Sequence, residues 1–235
     1  MCKSCIFARM RAIAQKPLFA VITADVIGSR QIEAFRRKRD QKLHPLSKTH
    51  VLQKLILSEY AVTAWDEFQA ILRSPSMAPR VILDLRRHFY PMQLWIAVGI
   101  GQVSEPKKKP VNLFAGGEAF ERARMAADAL KNDRTGKDHR LTSFVSGDSI
   151  FDLTANTIYR LHDTLLREVS AKQWETILAQ ASTGSQELAA KKLKVNVSTI
   201  SRNLRRGHFW EMEETCQAME TIIQNRFKLH AGVQI

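Results

Sequence analysis

The chain's 235 residues give room for one large domain or two modest ones, with a sizeable core in either case. Apolar residues make up 45% and charged residues 25%, a globular balance that excludes a disordered chain, and no apolar run approaches the roughly 20 residues that span a bilayer. Thirty-six Lys and Arg against 23 Asp and Glu leave a formal charge of +13, so nucleic acid or anionic nucleotides are the natural partners.

At the N-terminus the run Cys5-Ile6-Phe7-Ala8 is too short, and too soon broken by Arg9, for a signal-peptide core, so a cytoplasmic location is expected. Cys2 and Cys5 have half the spacing of a zinc knuckle. With only Cys216 besides, they define neither a disulfide framework nor a metal site. Residues 17–27 are β-branched and apolar and read as a buried strand ending at Gly28-Ser29-Arg30. Helical spacing follows over 31–43, with a basic face of Arg36, Arg37, Lys38, Arg39 and Lys42, and again over 46–57. Residues 59–63 and 68–72 read as a hairpin across Trp65-Asp66-Glu67. Ser74-Pro75-Ser76 opens a helix over 77–90, and 93–100 is the clearest central strand. The lysine run at 107–109 lies in a loop spanning 104–112. An amphipathic helix over 118–131 carries Phe120, Ala123, Ala127 and Leu130 on one face, and 141–145 is a last short strand. Beyond Gly147 everything reads helical.

The tail carries the strongest motif. A helix-turn-helix needs two short helices meeting across a tight turn, a small residue at their contact, and a polar, basic outer face on the second helix. Residues 185–193 supply the first helix, with Leu188, Ala189 and Leu193 inward, Ala190 as the small contact and Thr183 offering a cap. Lys194-Val195-Asn196 is the turn, and Lys194 stands where such turns usually have glycine. The second helix spans 197–206, with Ile200 and Leu204 inward. Lys191, Asn196, Val197, Ser198, Ser201, Arg202 and Arg205 are the expected DNA-contacting residues. Residues 185–206 hold six Lys or Arg against the single acid Glu187. The segment from Glu187 to Arg202 resembles the helix-turn-helix of many bacterial regulators, with Lys172–Leu178 as its supporting helix.

In the front half, Asp25 ends the first strand before Gly28-Ser29-Arg30, and Asp66-Glu67 occupies the hairpin tip. Carboxylates converging from adjacent strands suit divalent metals on a triphosphate, and a strand-to-helix turn with glycine suits a phosphate. With Ala97–Gly101 and Gly116–Arg124, these motifs resemble the SatD family of bacterial proteins from about residue 18 onward. They are also similar to the palm of class III nucleotide cyclases and diguanylate cyclases. The resemblance implies an α+β fold: a ferredoxin-like, nucleotide-cyclase-type palm domain plus an all-helical helix-turn-helix domain. It implies Asp25 and Asp66 as metal ligands and Gly28, Ser29 and Arg30 as the phosphate contact. The expected organisation is an N-terminal extension (1–14), the palm (15–147), a connecting helix (148–169) and the helix-turn-helix domain (170–235). Trp65 replaces the glycine expected before the hairpin aspartate, and Gly116 stands where an acid is expected before Gly117, so binding without turnover, or a purely structural or dimerising role, is expected over catalysis. The expected function is transcriptional control through double-stranded DNA, with room for a nucleotide and Mg²⁺ in the front domain, for a homodimer, and for no membrane. The alternative is a metal-dependent nucleotidyl-transfer enzyme with a DNA-targeting module.

Overall fold

The computed structural model describes residues 17–104, 116–132 and 140–227. The N-terminal extension with Cys2 and Cys5, nearly all of the lysine-bearing loop, and the last eight residues lie outside them. The described residues form a mixed α+β fold with one five-stranded sheet and eight helices. In chain order these are β1 (Phe19–Val26), α1 (Phe35–Leu52), β2 (Ala61–Val62), β3 (Glu67–Leu72), α2 (Ala78–Phe89), β4 (Leu94–Gly101), α3 (Glu118–Lys131), β5 (Thr142–Val145), α4 (Ser149–Glu168), α5 (Ala171–Thr183), α6 (Gln186–Leu193), α7 (Val197–Arg206) and α8 (Phe209–Arg226).

The sheet order is β2-β3-β1-β4-β5, antiparallel except for the parallel β4–β5 pair. β1 is central and buried along its whole length, which is why its sequence shows no polar alternation until Thr23 and Asp25. Its even-numbered residues Ala20, Ile22, Ala24 and Val26 join the main core with α1 and α2. Its odd-numbered residues face α3, with Phe19 and Val21 packing on Ala119 and Ala123. Glycine lets α3 lie that close: a Cβ on Gly99 of β4 would meet the Ala119 carbonyl at 2.1 Å and the Ala123 nitrogen at 2.2 Å.

Several expectations need correcting. The two helices expected over 31–43 and 46–57 are one helix, α1, which runs straight through Pro45. Pro45 removes a single helical donor, and the burial of Leu43, Leu46, Ser47 and His50 on the core side holds the helix together around it. Ahead of it lie a 3-10 turn at Ser29–Gln31 and a left-handed Ala34, and Ile56 bridges Leu72 in extended conformation. Arg39, expected on the solvated basic face, is buried and donates from Nη1 to the Trp65 carbonyl at 2.6 Å. In α3 the buried face is Ala119, Ala123, Ala126 and Leu130, while Phe120 and Ala127 are half-buried, a rotation of the stripe by one residue.

The helical tail is not a separate body on a tether. Met219 and Ile223 of α8 belong to the main core with Phe89, Phe151 and Tyr159. A second cluster joins Leu83 of α2 and Leu141 to Trp174, Ile177, Ala189, Ile200 and Leu204 of the tail helices. At this junction the buried Arg86 donates to the carbonyls of Leu94 (2.5 Å) and Leu141 (2.9 Å) and lies 3.5 Å from Asp163. Asp163 is fully buried and accepts from the Leu141 amide at 2.8 Å. Burial lowers the Arg86 pKa, and Asp163 opposes that shift. No helix among the described residues is long and apolar enough to cross a membrane.

Candidate functional site

Three places carry chemistry beyond packing. At the end of β1, the β1–β3 register sets Glu67 opposite Asp25, on the face that α3 covers. Lys131, in the last turn of α3, places its Nζ in an ion pair with Asp25 and 3.3 Å from Glu67 Oε2. Burial raises the Asp25 pKa above the ordinary carboxylate range; Lys131 pulls it back, and the like charges of Asp66 and Glu67 push it further up. Burial works the other way on Lys131, but Asp25 and Glu67 outweigh it and hold the ammonium above its usual range. The crevice lined by Thr23, Asp25, Glu67, Trp95 and Lys131 has no free volume for a water.

Asp66, expected to converge with Asp25, is held by the turn that follows β1. Its carboxylate accepts a 2.5 Å hydrogen bond from Ser29 Oγ, and its carbonyl accepts from the Val26 amide at 3.1 Å. The hairpin tip is thereby stitched to the Gly28–Arg30 turn. Gly28 there is left-handed (φ 68°), Ser29 is buried with its hydroxyl committed, and Arg30 is exposed. Among the described residues no group of three or more His, Cys, Asp and Glu is arranged to hold a metal. In this arrangement one carboxylate accepts from a hydroxyl and the other two share an ammonium. Sequence reading missed Glu67 as the partner of Asp25, and missed Lys131 altogether. The β1–β3 register could have supplied the first; only the reach of α3 over the sheet supplies the second. Trp65 folds over the start of α1, its ring 6.0 Å from Phe35 and 4.2 Å from the Arg36 guanidinium.

A second place is a groove of about 540 Å³ between α1 and the turn leading into β4. Its apolar wall is Ile27, Ile32, Pro91 and Met92. Lys38, Gln41, Lys42 and Gln93 line the rest. Lys42 Nζ donates to the carbonyls of His88 (2.8 Å) and Tyr90 (3.0 Å), tying α1 to the end of α2.

The third place is the outer face of α6 and α7. α5 begins with a capping box in which Ser170 and Gln173 exchange hydrogen bonds. The cap of α6 is Ser185, whose Oγ accepts from the Leu188 amide at 3.4 Å; Thr183, expected in that role, instead bonds the Ala179 carbonyl at 2.9 Å. α6 ends at Lys194 in the left-handed conformation (φ 56°, ψ 46°), the geometry expected of a glycine there. Ala189 and Ala190 are buried and Leu193 half-buried, but Leu188 is 53% exposed, because the first turn of α6 lies at the edge of the cluster. α7 buries Ile200 and Leu204 and hydrogen-bonds to α5 through Asn203 Nδ2 and Thr176 Oγ1 at 3.1 Å. Lys191, Asn196, Val197, Ser198, Ser201, Arg202 and Arg205 are all exposed. Among the described residues Lys191, Arg202 and Arg205 make no ion pair or side-chain hydrogen bond. α7 contains no acid.

The structure thus defines an α+β protein whose mixed sheet and helical tail share a core. The chain belongs to the SatD family, whose model matches residues 19–209. No curated protein and no solved structure matches it.

Proposed function

We propose that the protein is a DNA-binding transcriptional regulator whose α6 and α7 form a helix-turn-helix, with α7 as the recognition helix. The observation that carries this reading is the outer face of α7. It is polar and cationic, free of acids and, among the described residues, of partners for its cations, and set on two buried aliphatic anchors one turn apart. Unpaired cations release counterions from a phosphate backbone at no internal cost, and Ser, Asn and Arg read base edges in the major groove. Asn196 and Val197 stand at the start of that helix, where groove-entering helices make their base contacts.

The front half reads as a ferredoxin-like, cyclase-type palm. Its support is the β2-β3-β1-β4 order with one helix crossing between β1 and β2 and another between β3 and β4. Binding of a nucleotide without turnover is the role proposed for it. In-line phosphoryl transfer needs metal at the carboxylates, and here Lys131 holds Asp25 and Glu67 while Ser29 holds Asp66.

Selection of duplexes from a random pool by the purified protein tests the regulator reading. A recovered consensus, lost on Arg202→Ala, is the expected result. Equal affinity for selected and random duplexes overturns it in favour of charge-driven, non-specific binding.

A further inference from the structure

We infer that the groove between α1 and the Tyr90–Gln93 turn is a binding site for a mononucleotide, and that its occupation is sensed by the helical tail through Tyr90 and Trp174. The ligand class rests on the nucleotide-binding role proposed for the front half; neither the site nor its coupling to the tail depends on the DNA-binding reading.

The first argument is size and chemistry. At about 540 Å³ the groove lies within the range of small-molecule sites, and it combines an apolar wall with a few converging polar groups. Ile27, Ile32 and Met92 offer an apolar surface for a base. The charged residues of the lining are Lys38 and Lys42; no carboxylate lines it. That complementarity selects an anion carrying an apolar ring. Lys42 sharpens the point. An ammonium has three donors, and the carbonyls of His88 and Tyr90 take two of them, leaving the third available beside the groove. Burial lowers the Lys42 pKa, so an incoming phosphate repays part of the cost of keeping that ammonium charged. Gln41 and Gln93 each add an amide that can both donate and accept, as recognition of a base edge requires.

The second argument is continuity. The segment that walls the groove also supports the tail. Pro91 and Met92 directly follow Tyr90, whose ring stacks on Trp174 of α5 at 4.9 Å and 22°. Ile27 lines the groove and also packs against the tail's own cluster. Two residues before His88, Arg86 anchors β4 and Leu141; one residue before it, Arg87 pairs with Glu213 of α8 at 2.5 Å and lies over Phe209. A ligand that pulls on Lys42 therefore pulls on the His88 and Tyr90 carbonyls. That movement passes directly to the Tyr90–Trp174 stack beneath the helix that carries α6 and α7.

The test is calorimetric titration of the full chain with AMP, GMP, CMP and UMP, with inorganic phosphate and the free nucleosides as controls. At least one mononucleotide is expected to bind about tenfold more tightly than phosphate or its nucleoside. Lys38→Glu at the rim and Met92→Trp within the groove should each weaken it by about tenfold or more. Hydrogen exchange then reads the coupling without DNA: bound nucleotide should change protection of the α5–α7 amides, and Trp174→Leu should abolish that change while the nucleotide still binds saturably. No saturable binding by any mononucleotide, or binding indifferent to both groove variants, overturns the site. Binding with no change in α5–α7 overturns the coupling. A nucleotide that binds and alters α5–α7 in a protein that selects no duplex leaves this inference standing and sinks the DNA reading alone.

Discussion

The end of β1 and the outer face of α7 are both densely charged, and they use their charge in opposite ways. Around Asp25 the polar groups close on one another: Lys131 on Asp25 and Glu67, Ser29 on Asp66, Arg39 on the Trp65 carbonyl. On α7, Arg202 and Arg205 extend into solvent with no partner among the described residues, as does Lys191 on α6. Charges closed on one another stabilise a junction and leave little for a ligand, whereas charges held open on a rigid helix are available to one. A motif-level inventory of acids and bases ranks these two places alike; the difference lies in what each group already touches.

The comparison can be broken first at the junction between the sheet and the helical tail. Asp163→Ala strands the buried Arg86 guanidinium and should cost about 3–5 kcal/mol in chemical denaturation. An Asp163→Leu, Arg86→Met pair should recover much of that loss. A loss below about 1 kcal/mol would mean that water reaches the pair. Next in size is the open face. Arg202→Ala should cost about 1–3 kcal/mol on the preferred duplex and relax base choice, while Lys191→Ala should reduce the salt slope of binding by about one. Asp25→Asn should change neither, and an effect as large as that of Arg202→Ala would show that the closed region reaches the duplex. Smaller again is the turn. Lys194→Gly relieves a left-handed lysine and should raise stability by up to about 1 kcal/mol, visible as a shift in denaturation midpoint at constant slope.

The smallest effect concerns the closed site and depends on pH. The folded-state pKa of Asp25 lies above the ordinary value of 3.8. Its contribution to stability is therefore full below that value and is lost as pH rises through the folded-state pKa. Asp25→Asn keeps the neutral form at every pH. The variant should match the parent near about pH 3 and become the more stable of the two towards neutrality. Thermal melts of both proteins across that range check it. A variant less stable than the parent at neutral pH would mean that Lys131 compensates the buried carboxylate fully.

Local pattern is enough to find most of the elements. It places β4 and α3 to within a residue at each end, because apolar continuity marks a buried strand and periodic burial marks an amphipathic helix. The helical boundaries at Lys194 and Asn196 are equally visible, since a turn between two short helices leaves a signature within a few residues. Local pattern fails where one residue's meaning depends on a distant one. Pro45 reads as a breaker until the core side of α1 is seen to hold it, and Arg39 reads as solvated until the hairpin tip supplies a carbonyl. Leu188 reads as inward until the edge of the cluster is located.

Periodicity and composition, which act over single turns and strands, specify the class of the fold. They equally mark the cationic outer face of the second tail helix and the aspartates at the ends of β1 and the hairpin. Which carboxylate faces Asp25 is a matter of packing, as is the presence of Lys131 between it and Glu67. So is the double role of the Tyr90 turn, which walls a groove on one side while supporting Trp174 on the other. Strand register and helix docking fix those neighbours. Both are set by burial summed over the whole core, a quantity that no short stretch of the chain contains.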